Sequence, residues 1–279
     1  MQRLLYLASL PHSGSTLFTL MMGHHQQMIG LGGIDRAVRM IMTDRQATGE
    51  RNCTCGALAR DCPYWGAVFE ELTRASPQSL VERYRVALSV FARVFGDETW
   101  PIDAGQVTEP LFTLAQGKWL DLRVIHLARD VRSAIISEID ARRRRERARQ
   151  WPLVTASVMA LRWRRENEKI DECREQARLP GKNFGYEELC LGLQQTFDLV
   201  CEFLGLEKTS TSDQVPRTRS HLFIGNRMRM QDEKASLRYD GRWLSRSEWV
   251  LPSVLLPFVL RRNRDWVYGN NIFAVFTRQ

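Results

Sequence analysis

Short apolar runs recur along the chain at residues 4–9, 27–32, 99–103, 123–128 and 182–186, and longer stretches with helical spacing separate them. Buried-strand patterns that alternate with helices predict an α/β fold built on a parallel sheet flanked by helices. The sequence has no internal repeat, low-complexity tract or long Pro/Gly/Ser linker. One domain over residues 1–279 is therefore expected, with a Cys-bearing insertion near 49–65 and a basic segment near 140–151. The longest late apolar run, Trp249 to Leu260, is interrupted by Pro252 and Pro257 and is too short to span a bilayer. The N-terminal run is too short for a secretory signal and leads straight into a polar loop, so a cytoplasmic protein is expected. A hydrophobic content of 44% is ample for a packed core.

The first run, Leu4 to Ser9, enters Leu10-Pro11-His12-Ser13-Gly14-Ser15-Thr16-Leu17 and then an apolar helix carrying Phe18, Leu20 and Met21. A strand, tight loop and helix start in that order stack backbone N–H groups where the helix dipole favours a phosphate or sulfate. Gly14 allows close approach, and Ser13, Ser15 and Thr16 supply hydroxyls. The plain alternative is a strand-turn-helix capped by Ser15 or Thr16. A Walker A loop is excluded, because the Gly-x-x-x-x-Gly-Lys-Ser/Thr pattern and its lysine are absent. In a second unit the strand Arg123 to Ala128 is followed by Arg129 and a helix bearing Ser137, eight positions further on. An arginine at a strand's carboxyl end and a serine about two helical turns along can clasp a phosphate between them.

Together these two units resemble the nucleotide site of the sulfotransferases that use 3′-phosphoadenosine 5′-phosphosulfate (PAPS), in particular their bacterial branch. Tyr186-Glu187-Glu188-Leu189 with Phe197 to Leu206, the stretch His221 to Arg229, and Cys53-Thr54-Cys55-Gly56 with Cys62-Pro63-Tyr64-Trp65 add to the likeness. The resemblance implies a P-loop-like fold. It places the 5′-phosphosulfate over His12, Ser13, Gly14, Ser15, Thr16 and Leu17 and the 3′-phosphate on Arg129 and Ser137. Arg227 and Arg229 belong to a late loop that closes over the nucleotide, and Tyr239 to Trp243 orders that loop. PAPS is then the cosubstrate, 3′,5′-ADP (PAP) the product, and no metal is required.

Departures from the family pattern fall near the chemistry. His12 stands where a lysine or arginine usually steadies the leaving phosphate. Gly32-Gly33-Ile34-Asp35 displaces by two positions the carboxylate that some relatives carry, and Gln106 stands where bacterial relatives often have lysine. A general base is still needed. Asp35 and Asp103, each beside a strand end, are the candidates, with Glu109 a third. Their plain alternatives are an N-cap for Asp35, a helix or turn cap for Asp103 and a helix-dipole partner for Glu109. His24 and His25 close the first helix and read as structural.

The net charge of +8 asks for an acidic partner. Arg142, Arg143, Arg144, Arg145, Arg147 and Arg149 supply much of it, either as a basic flap beside the acceptor cleft or as a solvated surface. That run lacks the interleaved aromatics of a nucleic-acid groove. Cys53, Cys55 and Cys62 leave a fourth metal ligand without a local source, so a clustered structural role, with a reversible disulfide as one form of it, is expected ahead of a metal. Trp151 and Trp163 suit core packing or an acceptor platform. The reading is a sulfotransferase with an unidentified acceptor. The alternatives are a PAP/PAPS-binding protein with weak or no catalysis and, further off, a nucleotide kinase.

Overall fold

The computed structural model describes residues 1–106, 108–144, 152–216, 219–230, 236–270 and 272, except the side chains of 144, 152–154 and 227. Five strands, β1 (Gln2–Ser9), β2 (Met28–Gly32), β3 (Trp100–Asp103), β4 (Leu120–Ala128) and β5 (Gly181–Gly185), form a sheet in the order β2-β3-β1-β4-β5. Every pairing is parallel, as the apolar runs predict. Strand ends depart from the sequence pattern for local reasons. The ladder with β1, from Gln2↔Leu120 to Ser9↔Leu127, draws three further residues into β4. β5 stops at Gly185, because the Glu188 carboxylate accepts the Gly185 N–H at 3.1 Å and turns Tyr186 into a helix.

Helix α1 (Ser15–Met22) follows β1. Between β2 and β3 lie α2 (Ile34–Thr43), α3 (Arg45–Gly49), α4 (Pro63–Ala75) and α5 (Leu80–Phe95). Then come α6 (Glu109–Ala115), α7 (Val131–Arg144), α8 (Pro152–Gln176), α9 (Tyr186–Leu191), α10 (Leu193–Leu204), α11 (Val250–Leu255) and α12 (Pro257–Val267). The boundaries follow familiar local chemistry. Pro63 opens α4, Ser79 and Glu82 form a reciprocal capping box on α5, and Gly205 in the left-handed region closes α10. No described helix is long and apolar enough to cross a membrane.

β1 is buried on both faces, and its alternation divides the core. Leu4, Tyr6 and Ala8 pack with Val38, Trp65 and Leu88 of α2, α4 and α5. Leu5 and Leu7 pack with Phe18 of α1 and Phe197 of α10. Each buried Val, Leu or Phe among these contributes about 1.5–3 kcal/mol. A third cluster, including Ile135, Ala160, Trp163 and Trp266, binds α7, α8 and α12 together.

Polar bonds index α8 onto β4. The fully buried His126 meets Asp171 Oδ1 at 3.0 Å and Asn167 Oδ1 at 2.8 Å. Trp163 donates its indole N–H to the Arg129 carbonyl at 3.0 Å, so it is a core residue that fixes the end of β4. Trp151 lies outside the described residues, as do 145–150 of the arginine run. Arg142 and Arg143 pair with Glu138 and Glu248.

Just past β4, the buried Asp130 accepts bonds from Arg132, Asn263 and Tyr268. Burial opposes its ionisation, but the Arg132 guanidinium and amide with the Asn263 side chain together outweigh burial and hold the carboxyl below its usual range. Glu187 is the counterpart. One oxygen accepts the Asp130 N–H at 3.1 Å and the other is buried without a partner. Burial, with Asp130 adding repulsion, pushes its pKa up to about 8 from 4.5. A carboxyl raised in this way stabilises the fold fully below the unfolded pKa and loses that contribution as pH rises through 8. Glu187→Gln should therefore gain on the parent, by a few kcal/mol at about 1.4 per pKa unit, as pH goes from 5 to 9. Denaturant midpoints measured across that range check it, and parallel profiles for the two proteins would refute it.

Candidate functional site

β1 lies between β3 and β4, and its connection runs towards β2 while that of β4 runs towards β5. The chain therefore leaves these two neighbours in opposite directions, and a crevice opens beyond their carboxyl ends, where α/β sheets bind ligands. A cavity of about 1160 Å³ occupies it, lined by the β1–α1 loop, Arg129, Ser137 and the loops after β2 and β3.

The β1–α1 loop is shaped by its backbone. His12 and Gly14 both have positive φ, 67° and 88°, and Gly14 is the N-cap of α1 without any side-chain cap. The alternative of a Ser15 or Thr16 cap is thereby set aside, because both residues are inside the helix. The first helical N–H to find a carbonyl is that of Phe18, which bonds Gly14 O at 2.9 Å. The amides of Ser15, Thr16 and Leu17 have no such acceptor within the helix, and these three residues line the cavity with His12 and Gly14. Ser13 is buried at 3% exposure and is not on the cavity wall.

Arg129 faces this loop across the crevice. Its guanidinium donates to Ser133 Oγ at 2.8 Å, His12 O at 3.0 Å and Asp240 Oδ2 at 2.7 Å, and it stacks 4.6 Å from the centre of the Tyr186 ring. Asp240 also takes two bonds from Arg242 at 2.7 Å. Arg242 and Arg129 hold its carboxyl well below the usual range although burial opposes them. Asp240 is thus an internal anion at the position where Arg129 would meet an external one. Ser137 is buried and lines the same cavity from the second turn of α7. Arg229 reaches the wall too. It donates to Phe223 O at 3.0 Å, its Nε is buried without a partner, and burial and Arg51 lower its pKa. The side chain of Arg227 lies outside the described residues.

Among the described residues the lining holds seven arginines, three aspartates and no lysine. Asp35 and Asp240 are paired with arginine, whereas Arg36, Arg51, Arg229 and Arg238 have no carboxylate partner among the described residues. The cavity is therefore a basic one, suited to a ligand with several negative charges.

The two carboxylates read as catalytic candidates differ sharply. Asp35, in the first turn of α2, bonds Arg83 at 2.8 Å and Arg39 at 2.9 Å, one through each oxygen. It caps nothing. The first N–H of α2, from Ile34, is answered by Asp103 Oδ1 at 3.0 Å across the sheet. Asp103 also accepts the Tyr84 hydroxyl, and burial pushes its pKa up to about 7 against those two bonds. Both aspartates line the cavity, whereas Glu109 is exposed and off it. His24 and His25 bond the carbonyls of Gln214 and Glu207, which fits the structural reading.

Sequence reasoning missed Asp240, Tyr186, Arg51 and Arg238 as cavity residues. Tyr186 and Asp240 lay inside stretches named for the family resemblance but without a role in the site, and Arg51 and Arg238 carried no signal at all. No protein-family model matches the chain, and no curated protein is significantly similar to it. Similar solved structures include the sulfotransferase domain from the curacin biosynthetic pathway, 16% identical over 74% of this chain and 75% of that one, with a TM-score of 0.43. A sulfotransferase from Alicyclobacillus acidocaldarius is 12% identical over 76% and 84%, with a TM-score of 0.46. Retinol dehydratase in complex with retinol and PAP is 12% identical over 94% and 81%, with a TM-score of 0.39. The first two of these bear the name of the family that the sequence resembles, the third does not, and at these scores none assigns a residue a role.

Gly14 is the position where the loop tolerates least. A Cβ there would lie 2.5 Å from Tyr186 Cδ2, on a backbone with φ of 88°. Gly14→Ala should lower stability by about 1–3 kcal/mol and weaken binding of pyrophosphate, used as a simple polyanion probe. Thermal melts and titration calorimetry check both effects, and an unaltered pyrophosphate affinity would remove the loop from the anion site.

Proposed function

We propose that this protein is a PAPS-dependent sulfotransferase that moves a sulfuryl group to a hydroxyl or amine acceptor and releases PAP. The observation that carries this reading is the pair of anion-seeking elements on either side of one crevice. The N-terminus of α1 lies on the β1 side, and buried Arg129 with Ser137 lies on the β4 side, both on an arginine-lined cavity. A nucleotide phosphorylated at two positions suits two anion-seeking elements that line one cavity. The residues present fit PAPS in their donor set. The amides of Ser15, Thr16 and Leu17 with the two hydroxyls would hold the 5′-phosphosulfate, and Arg129 with Ser137 would hold the 3′-phosphate, sharing or displacing Asp240.

Sulfuryl transfer passes through a loose, in-line transition state by analogy with phosphoryl transfer. The protein's tasks are to position both partners, neutralise the leaving phosphate and take the acceptor proton. In this reading α1's amides and His12 meet the charge that develops on the leaving oxygen. Asp103, with its pKa near neutrality, accepts the acceptor's proton. Asp35 orients Arg39 and Arg83 instead of acting on substrate. Neither step calls on a metal.

Calorimetric titration with PAP, 5′-AMP and Mg-ATP is the decisive binding test. Metal-free PAP binding much tighter than AMP binding is expected, and Arg129→Ala should cost about 2–5 kcal/mol of it. Preference for Mg-ATP, or an unaltered PAP affinity in the variant, would refute the reading. PAP binding without turnover of any acceptor would leave a nucleotide-binding protein. Once an acceptor is found, activity should rise with pH through about 7 as Asp103 ionises. Asp103→Asn should lower kcat by about 10²–10⁴ and abolish that acid limb. A retained limb in the variant would assign the proton to another group.

A further inference from the structure

Three thiols and one imidazole converge behind the cavity wall. Cys53, Cys55, Cys62 and His221 place one donor atom each within 4.8 Å of all the others. Cys53 Sγ and Cys62 Sγ are 3.8 Å apart, and Cys62 Sγ lies 3.2 Å from His221 Nδ1. Metal–ligand lengths of about 2.3 Å to sulfur and about 2.0–2.1 Å to nitrogen give tetrahedron edges of about 3.8 Å between sulfurs and about 3.6 Å from sulfur to nitrogen. The observed distances approach those edges. The fourth donor that the local sequence lacks arrives from 159 residues away.

We infer that Cys53, Cys55, Cys62 and His221 form a structural zinc site that pins the late loop to the cavity wall. Soft thiolates with one imidazole select Zn²⁺ over Mg²⁺ or Ca²⁺, and four protein donors leave no open position for a substrate. The surroundings are built for it. Gly56, at φ 92°, turns the chain back so that Cys53 N–H bonds Ala57 O at 2.9 Å, and Gly56 N–H returns to Cys53 O at 3.1 Å, which holds the Cys53–Cys55 stretch in a tight turn. Cys62 is the N-cap of α4, where the helix dipole favours a thiolate. Around the cluster, Thr54 accepts Leu222 N–H at 2.9 Å and donates to Ser220 O at 2.6 Å, and Trp65 donates to His221 O at 2.5 Å.

The consequence is mechanical. Among the described residues from Gly205 to Gly241, regular structure is confined to the 3-10 turn Arg227–Met230 and one isolated bridge. Leu222, Phe223, Ile224, Gly225 and Arg229 of this stretch nevertheless form one wall of the cavity. A metal at His221 would fix that wall against α4 and, through His221 N–H to Gly30 O at 2.7 Å, against β2. The site is independent of which nucleotide the cavity takes.

The test is metal analysis of the full-length protein purified under reducing conditions without chelator. Stoichiometric zinc is expected. Replacement by Co²⁺ should give the intense visible absorption of a tetrahedral ion with a near-ultraviolet thiolate charge-transfer band. Cys55→Ser should weaken that band and His221→Gln should lose most of the metal, while Cys173→Ser, outside the cluster, should keep both zinc and spectrum. Chelation should lower the thermal midpoint of the parent protein and leave His221→Gln unmoved. Metal-free protein that takes up Co²⁺ without the tetrahedral spectrum would overturn the proposal, as would a Cys53–Cys62 disulfide found by peptide mapping in the reduced preparation. The measurements on the parent protein decide the matter even if a variant fails to fold.

Discussion

The buried guanidinium of Arg129 is the point on which the rest of the site depends. Its backbone is held by Trp163 of α8, and its side chain by Ser133 of α7, the His12 carbonyl of the β1–α1 loop and Asp240 of the late segment. A charge taken out of water must be answered on every side, because an unpaired one costs several kcal/mol. That requirement draws the β1–α1 loop and the late segment, 117 and 111 positions away, to one place at the switch point of the sheet. The cavity is the space left between them.

Electrostatics divides the neighbouring acids by the same rule. Asp130 and Asp240 each face arginine and stay ionised, while Asp103 and Glu187 are buried against weaker donors and are pushed towards neutrality. Two carboxyls ready to hold protons near pH 7 therefore sit within a basic setting, one on the cavity and one beneath it. The cavity member, Asp103, has a second duty. It satisfies the first amide of α2, so the group suited to proton transfer also fixes the helix that carries Asp35. Chemistry and architecture share one side chain.

The stretch after α10 shows how a wall is made without regular structure. Its carbonyls and amides are taken up one at a time by Thr54, Trp65, Gly30 and Tyr186. Each bond contributes about 0.5–1.5 kcal/mol net, too little alone to order a long segment against its conformational entropy. The four-ligand metal proposed at His221 would supply a stronger tie at the middle of that segment.

Residues that interact with near neighbours were legible in the chain itself. The five strands, the loop that opens α1 and the strand-end position of Arg129 follow from apolar period, glycine placement and the backbone's need for hydrogen bonds. What could not be read was any partnership set by distance in space. The bond from Asp103 to α2, the seating of Asp240 on Arg129, the locking of Asp35 by Arg83 and the meeting of His221 with Cys62 join residues 48 to 159 positions apart. Local pattern carries no record of such pairs, because they exist only once the sheet has fixed its order and brought the ends of its strands together. The sequence determined which groups were available at the crevice. The tertiary structure decided which of their charges were already spent on one another.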